Sequence, residues 1–412
     1  MGYVATRGET ATKTNTPIVQ TPQAINVVTQ EQLKQQQPQN ISQALRYTPG
    51  ISDEIYGPDG RGDWLQIRGF NGYDSIFLDG LKSDNGIWTY QMGPYGLERL
   101  EVLKGPSSML YGQNEPGGLV NAVSKRPTAT ARHEIEVQGG SYGQKQFGLD
   151  SSGPVAGTDG KLDYRIVAMD RQSGTQVHDT DNNRQYLAPS LTWKPNASTQ
   201  LTILADYLRV RMPGWTGPYL PEEGTLEPNP NGQLSRSTFP GAPSFDDYRM
   251  DQEAIGYELD HEFSDNLKFV QNFRYSHING LSNETYGTTL EADGKTLDRA
   301  TFQEKALVNS VNLDNHVEYY FDTGVLRHKL LAGVDFRHLA EDYSCAFGSA
   351  TSIDIYDPGS SLNAAGPLTT STDTNQVLNQ AGEYVQDQIF WGGWRLIAGA
   401  RQCRHQRHQQ AL

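Results

Sequence analysis

Leu326-Arg327-His328-Lys329-Leu330-Leu331-Ala332-Gly333-Val334-Asp335-Phe336-Arg337 decides the fold. Leu326, Leu330, Ala332, Val334 and Phe336 oppose Arg327, Lys329, Asp335 and Arg337. Successive side chains of a strand point to opposite faces, so the segment has one apolar and one polar face. The same texture recurs from residue 132 onward. It is plain in Leu162-Asp163-Tyr164-Arg165-Ile166. It returns where Leu267, Phe269, Phe273 and Tyr275 oppose Lys268, Asn272 and Arg274. A soluble sandwich also alternates, but three features favour an antiparallel transmembrane β-barrel. The segments run to about ten residues, the length a tilted membrane strand needs. Short turns such as Lys194-Pro195-Asn196-Ala197 alternate with long gaps at 213–247, 280–302 and 341–376. Aromatics gather at segment ends, as in Tyr319-Tyr320-Phe321 and Trp391-Gly392-Gly393-Trp394.

Composition agrees. The 412 residues carry 34 Lys+Arg against 48 Asp+Glu, a net charge of −14, which suits no general phosphate-backbone binder. Only 36% of residues are hydrophobic, and no apolar run is long enough for a membrane helix. A barrel needs apolar residues only at alternate positions, so it tolerates this average. With 21 Tyr, 13 Phe and 6 Trp, the chain is too aromatic for plain disorder. Two cysteines exclude a disulfide scaffold and any Cys-rich zinc site. Met1-Gly2-Tyr3-Val4-Ala5-Thr6-Arg7 has no apolar signal-peptide core, so a leader is expected to be missing.

Four regions follow. Residues 1–20 are polar and Thr-rich and are expected to be mobile. Residues 21–127 form a compact α+β unit, with Thr29 as a helix N-cap and a second short helix over Ile41–Leu45. Its strands run through Leu65–Arg68, Ser75–Asp79 and Leu100–Leu103. Residues 132–401 are the barrel strands. In 402–412, Gln-Cys-Arg-His-Gln-Arg-His-Gln-Gln-Ala-Leu, the alternation stops, and this tail reads as foreign to the fold.

Several chemical motifs have bland explanations. Gly112–Gly118 lacks the Lys and Ser/Thr of a phosphate loop and reads as a tight turn. Arg61-Gly62-Asp63 spells an adhesion tripeptide but reads as a polar turn. Cys403, His405 and His408 are metal-ligand types in a tail without alternation. Asp246-Asp247 and Glu222-Glu223 read as solvated loop charges rather than an acid–base pair. Aromatics in the long gaps are more telling: Trp215, Tyr219, Tyr248, Tyr286, Tyr343 and Phe347, with Trp88, Tyr90, Tyr95 and Arg68 from the first unit. Aromatics and a cation at one end of a barrel suit a bulky anionic or chelate ligand.

Ile67-Arg68-Gly69-Phe70, Phe77-Leu78-Asp79-Gly80-Leu81, the run Leu97–Gly112, Pro116-Gly117-Gly118-Leu119-Val120-Asn121 and Ser124-Lys125-Arg126-Pro127 occur in this order. Together they resemble the plug of TonB-dependent outer-membrane receptors. Tyr219-Leu220-Pro221, Asp260-His261-Glu262-Phe263 and Tyr384-Val385-Gln386-Asp387-Gln388 are similar to the ferrichrome-type siderophore receptors of that family. The resemblance implies an α+β plug inside a 22-stranded barrel, of which this chain would carry about half. It implies a ferric siderophore as ligand, with the iron held by the chelator and no cofactor or protein metal site. It further implies TonB and outer-membrane lipid of a Gram-negative bacterium as partners, no nucleic acid and no enzymatic activity.

By motif, Arg68 matches the plug arginine facing the siderophore. Tyr95 matches a plug aromatic at the apex, and Tyr219 a barrel aromatic before Leu-Pro. Tyr286 and Phe347 match loop aromatics, and Trp88 and Trp215 match by loop position. Thr288 and Gly217 stand where relatives can carry aromatics. The missing leader, the absent TonB box and the half-barrel lead to the expectation of an incomplete receptor. The rival readings are a TonB-dependent transporter of cobalamin or an oligosaccharide, a carbohydrate-active β-rich enzyme, and an adhesin.

Overall fold

In the computed structural model, residues 2–83, 90–214, 219–359 and 365–411 are described. Two short strands, β1 (Arg7–Gly8) and β2 (Thr16–Pro17), open the chain. The plug follows, with β3 (Ala24–Thr29), α1 (Gln30–Gln36), α2 (Ile41–Ala44), β4 (Ile51–Asp53), β5 (Leu65–Ile67) and β6 (Phe70–Asn71). It continues through β7 (Ile76–Leu78), β8 (Leu81–Lys82), β9 (Leu97–Lys104), α3 (Ser108–Tyr111) and β10 (Gly118–Ser124). Its main sheet has the order β3-β9-β10-β7-β8 and is mixed, since β10 runs parallel to β7. A smaller sheet has the order β4-β5-β6.

Thr29 caps α1 as expected: its side chain accepts from Gln32 N, while the Gln32 side chain accepts from Thr29 N, a reciprocal capping box. Ile41, Leu45, Leu65, Ile67, Leu100 and Val120 are fully buried between the helices and the sheet. Each such side chain contributes about 1.5–3 kcal/mol. Where β10 begins, a Cβ on Gly118 would lie 2.1 Å from the Leu103 carbonyl oxygen, so the Gly-rich stretch serves close strand packing.

Asn40 caps α2, its side chain accepting from Gln43 N at 2.8 Å, and a sequence-distant carboxylate adds to that cap. Asp63 is 2% exposed, and its carboxylate accepts from Ile41 N at 2.7 Å and Ser42 N at 3.4 Å. Burial pushes this carboxyl up to about 6, against the opposing effect of those bonds and Arg184. The folded state therefore binds more protons than the unfolded chain between about pH 4 and 6, and plug stability falls as pH rises through that window. Asp63→Asn keeps the acceptor and removes the titration. Relative to the parent, it should gain about 3 kcal/mol between pH 4 and 7. Denaturant unfolding of the plug at both pH values checks this; parallel curves for the two proteins would refute it.

Eleven described strands follow: β11 (Arg132–Gly139), β12 (Lys145–Pro154), β13 (Leu162–Gln172), β14 (Asn183–Asn196), β15 (Thr199–Pro213) and β16 (Asp247–Ser264). Then come β17 (Leu267–Leu290), β18 (Thr296–Thr323), β19 (Leu326–Asp354), β20 (Thr369–Trp391) and β21 (Trp394–Ala411). Each pairs antiparallel with the next, in a single sheet whose edges are β11 and β21. One end carries turns such as 324–325 and 392–393; the other carries the loop 173–182 and the described residues 219–246 that lead into β16.

The sheet is inside-out. Val334 is 50% and Phe336 41% exposed on the outer face, while Lys329, Arg337 and Arg274 are buried on the inner face, Arg274 against the plug. Trp193, Phe263, Tyr319, Trp391 and Trp394 are exposed near the turn end, where an interfacial belt would lie. No helix among the described residues is long and apolar enough to cross a membrane.

Three expectations need correction. The gaps 280–302 and 341–376 are not long loops: β17 to β20 continue through them as paired strands, leaving, among the described residues, 291–295, 355–359 and 365–368 as connections. Beyond an apolar band the outer face turns polar, so hydropathy alternation fades while the hydrogen-bond ladder continues. The first segment is not free either. Thr10, Thr12, Thr14 and Thr16 are buried, and the hydroxyls of Thr12, Thr14 and Thr16 satisfy one another at 2.9–3.0 Å. Pairing of β21 with β20 also runs on through Cys403, His405 and His408, although residues 402–410 are all exposed.

Candidate functional site

The plug meets the inner sheet face mainly through polar groups. Arg274 donates to the Leu78 carbonyl at 2.7 Å and the Leu81 carbonyl at 3.1 Å, Lys125 pairs with Asp150 at 2.9 Å, and Tyr90 donates to Asp206. At the loop end, Gln91 and Gln252 exchange two bonds, N to Oε1 at 2.9 Å and Nε2 to O at 2.7 Å.

Also at the loop end, the turn Pro58–Gly62 brings Arg61 onto the inner face of the sheet. Asp59 accepts from Arg61 Nε at 3.0 Å and Nη2 at 2.8 Å, and Glu284 of β17 accepts from Nη1. Tyr219 lies against the same guanidinium; burial, followed by the opposing pull of Arg61, leaves its phenol raised. Tyr286 follows Glu284 by two residues and therefore shares its inward face. On β18 and β19, Tyr343 donates to Glu304 at 2.7 Å, and the rings of Phe302 and Phe347 stand 5.0 Å apart. Tyr219, Tyr286, Tyr343 and Phe347 thus gather above the plug tip, three of them on strands rather than loops.

Arg68 and Tyr95 are not brought together. Arg68 sits in the β5–β6 turn with φ +53°, its N–H donating to the Gly50 carbonyl at 2.8 Å. Its exposed side chain lies beside Lys104 and Gly105, past one end of β9. Tyr95 precedes the other end, and eight residues of strand separate the two by about 23 Å. Tyr95 packs on Gly148 of β12, where a Cβ would come within 2.6 Å of its hydroxyl oxygen. Lys125 Nζ stands 4.6 Å from its ring centroid, and burial raises the phenol. Trp88 and Trp215 lie outside the described residues.

The adhesion tripeptide is unavailable to a partner, since Asp63 caps α2 and Arg61 is held in ion pairs. Cys403 accepts from Arg401 Nε at 2.7 Å, and the described residues hold no cluster of three metal-ligand side chains. The expected site lacked Arg61, Phe302 and Glu304. Arg61 was visible only as part of a turn, and its partner Glu284 lies 223 residues away.

Comparisons with known proteins agree with this architecture. A family model described as TonB-dependent Receptor Plug Domain matches residues 17–119. One described as TonB dependent receptor-like, beta-barrel, matches residues 189–411. The ferrichrome outer membrane transporter/phage receptor of Escherichia coli is 33% identical, over 96% of this chain and 57% of that protein. The ferrioxamine B receptor of Salmonella typhimurium is 31% identical, over 96% of this chain and 56% of its own length. The chain therefore spans a little over half the length of the curated relatives it matches. The solved ferripyoverdine receptor of the outer membrane of Pseudomonas aeruginosa shares the fold, with TM-score 0.88 at 21% identity, over 100% of this chain and 55% of that one. A plug of mixed sheet lodged against an inside-out antiparallel sheet, each unit overlapping its own family model, makes this chain a member of the TonB-dependent receptors.

Proposed function

We propose that this protein binds a ferric siderophore at the loop end of an outer-membrane barrel and takes part in its TonB-dependent import, as a receptor rather than an enzyme. The observation that carries the reading is the inward-facing group of Tyr219, Tyr286, Tyr343 and Phe347 around Arg61, at the loop end above the plug. Flat aromatic faces and a guanidinium hold a bulky chelate by stacking, cation–π contact and charge-assisted hydrogen bonds. Relatives named for ferrichrome and ferrioxamine B support an iron chelate over cobalamin or an oligosaccharide. Arg68, exposed beside Lys104, contributes a second cation from the plug, with the tryptophans Trp88 and Trp215 as further contacts, while Tyr95, seated on Gly148, stands outside this group.

Intrinsic fluorescence titration in detergent with ferrichrome, ferrioxamine B and cyanocobalamin tests the reading. An iron chelate should quench and saturate, and cyanocobalamin should not compete. Phe347→Ala should weaken binding by about 0.5–1.5 kcal/mol, the worth of one aromatic contact. Arg68→Ala should weaken it by about 1–3 kcal/mol. Unchanged affinity in either variant removes that residue from the site, and cyanocobalamin binding alone replaces the ligand class.

A further inference from the structure

Arg171 of β13 and Arg184 of β14 are direct cross-strand partners on the inner sheet face, each 3% exposed. Like charges directly opposite each other are destabilising, and a buried charge without a counter-charge is costly. Arg184 bonds only neutral acceptors: Asn182 Oδ1 at 3.0 Å, Gln91 Oε1 at 2.9 Å and the Gly60 carbonyl at 2.5 Å. Nε and Nη2 of Arg171 have no hydrogen-bond partner among the described residues.

Among the described residues no carboxylate is hydrogen-bonded to either guanidinium. Asp63 and Asp59 are within Coulombic reach of Arg184, but Asp63 accepts from the start of α2 and Asp59 from Arg61. Asp150 accepts from Lys125 and Arg165, and Glu136, which itself lines the cavity between plug and sheet, accepts from Gln138 and Gln146. Between the plug and β11–β14 lies a cavity of about 60 Å³. Arg171, Arg184, Tyr95 and Gln30 all line it. The Tyr95 hydroxyl and Gln30 Nε2 are also buried without partners. The unpaired polar atoms lining this cavity are thus four that can donate: two from one guanidinium, one hydroxyl and one amide.

We propose that this cavity is a binding site for an oxyanion, a carboxylate or phosphate group, held by Arg171 with Tyr95 and Gln30 and neutralising the arginine pair. About 10–15 Å³ admits one water, so the cavity has room for an anion of three or four oxygens. Charge-assisted bonds from a planar guanidinium match such a group. The site stands apart from the aromatic group proposed for the chelate and does not depend on that reading.

Thermal unfolding in detergent tests it, in Tris chloride with and without inorganic phosphate at constant ionic strength. Phosphate should raise the parent's midpoint by several degrees. Arg171→Met, which keeps the stem and drops the charge, should lose that response. Without phosphate it should be at least as stable as the parent. Tyr95→Phe keeps the ring on Gly148 and should weaken the response, an independent test that leaves the guanidinium in place. An equal phosphate response in parent and both variants overturns the site, as does no response in the parent. Strong destabilisation of Arg171→Met without phosphate overturns it too, because the guanidinium would then have a partner within the protein. Acetate in place of phosphate distinguishes the two anions: a response to acetate alone assigns a carboxylate.

Discussion

Replacing Arg126 with alanine should cost the plug about 3–5 kcal/mol, the largest loss expected from any single change in this protein. Arg126 closes the plug and fastens it to the sheet. Its Nη2 reaches Asp79 Oδ1 at 2.9 Å and Glu258 Oε1 at 2.5 Å, Nε meets Glu258 Oε2 at 2.9 Å, and Nη1 donates to the Ser124 carbonyl at 2.9 Å. Asp79 also accepts from Ser124 N at 2.8 Å and Ser124 Oγ at 2.7 Å. Burial pushes the Asp79 carboxyl up, but Arg126 and Ser124 outweigh it and hold it below the ordinary carboxylate range. Alanine leaves two carboxylates facing each other with no cation between them. Lysine keeps the charge but cannot fork to both partners, and should recover only part of the loss. In the double variant Arg126→Met, Glu258→Gln, one orphaned charge is gone, so the penalty should shrink well below the sum of the single effects. Urea unfolding of the plug measures all three. A loss under 1 kcal/mol for Arg126→Ala would mean that water already screens this junction.

Two members of that junction sit in the short motifs that carry the resemblance, Leu78-Asp79-Gly80 and Ser124-Lys125-Arg126-Pro127, but nothing local in the sequence pairs them with each other or with Glu258. The Asp79 turn takes φ +55° and Gly80 φ +80°, a local geometry that restricts residue choice. The sheet, by contrast, was legible. Lipid outside and plug inside demand opposite chemistry on alternate residues, and Leu326–Arg337 displays it. Where outward residues such as His338 and Asp342 rise above the apolar band, that demand lapses, so paired strands looked like loops. The site was least legible. Arg61 with Glu284, Tyr95 with Gly148, and Arg171 with Arg184 meet only through sheet register and plug placement, which no local pattern encodes. The N-terminal segment misled because threonine is polar, yet its hydroxyls bond to one another and need no water.

That segment should come loose when one cation is removed. Lys13 pairs with Asp314 of β18, both side chains being buried, and its Nζ lies 3.1 Å from the Tyr384 hydroxyl and 4.2 Å from that ring's centroid. Lys13 holds this position at φ +52°, a left-handed conformation that costs about 1–2 kcal/mol. Elsewhere polar bonds fasten the segment. Glu101 accepts from Glu9 N at 3.0 Å, Thr10 N at 2.9 Å and Thr10 Oγ1 at 2.7 Å, while Gln388 donates to Thr14 Oγ1 at 3.1 Å. Only Ala11 packs in an apolar cluster, so withdrawal exposes little hydrophobic surface and the opening cost is electrostatic. Lys13→Met keeps the stem, removes the charge and leaves Asp314 with Tyr384 and His316 alone. The expected loss is about 3 kcal/mol, which is on the order of a hundredfold faster exchange at amides 8–16. Amides of β17 to β19 should keep their protection, because their ladders do not pass through the segment. Hydrogen exchange read by mass spectrometry separates the two regions. Unchanged exchange at 8–16 would assign the anchoring to Glu101 and the threonines, with Lys13 held in place by the segment and not the reverse.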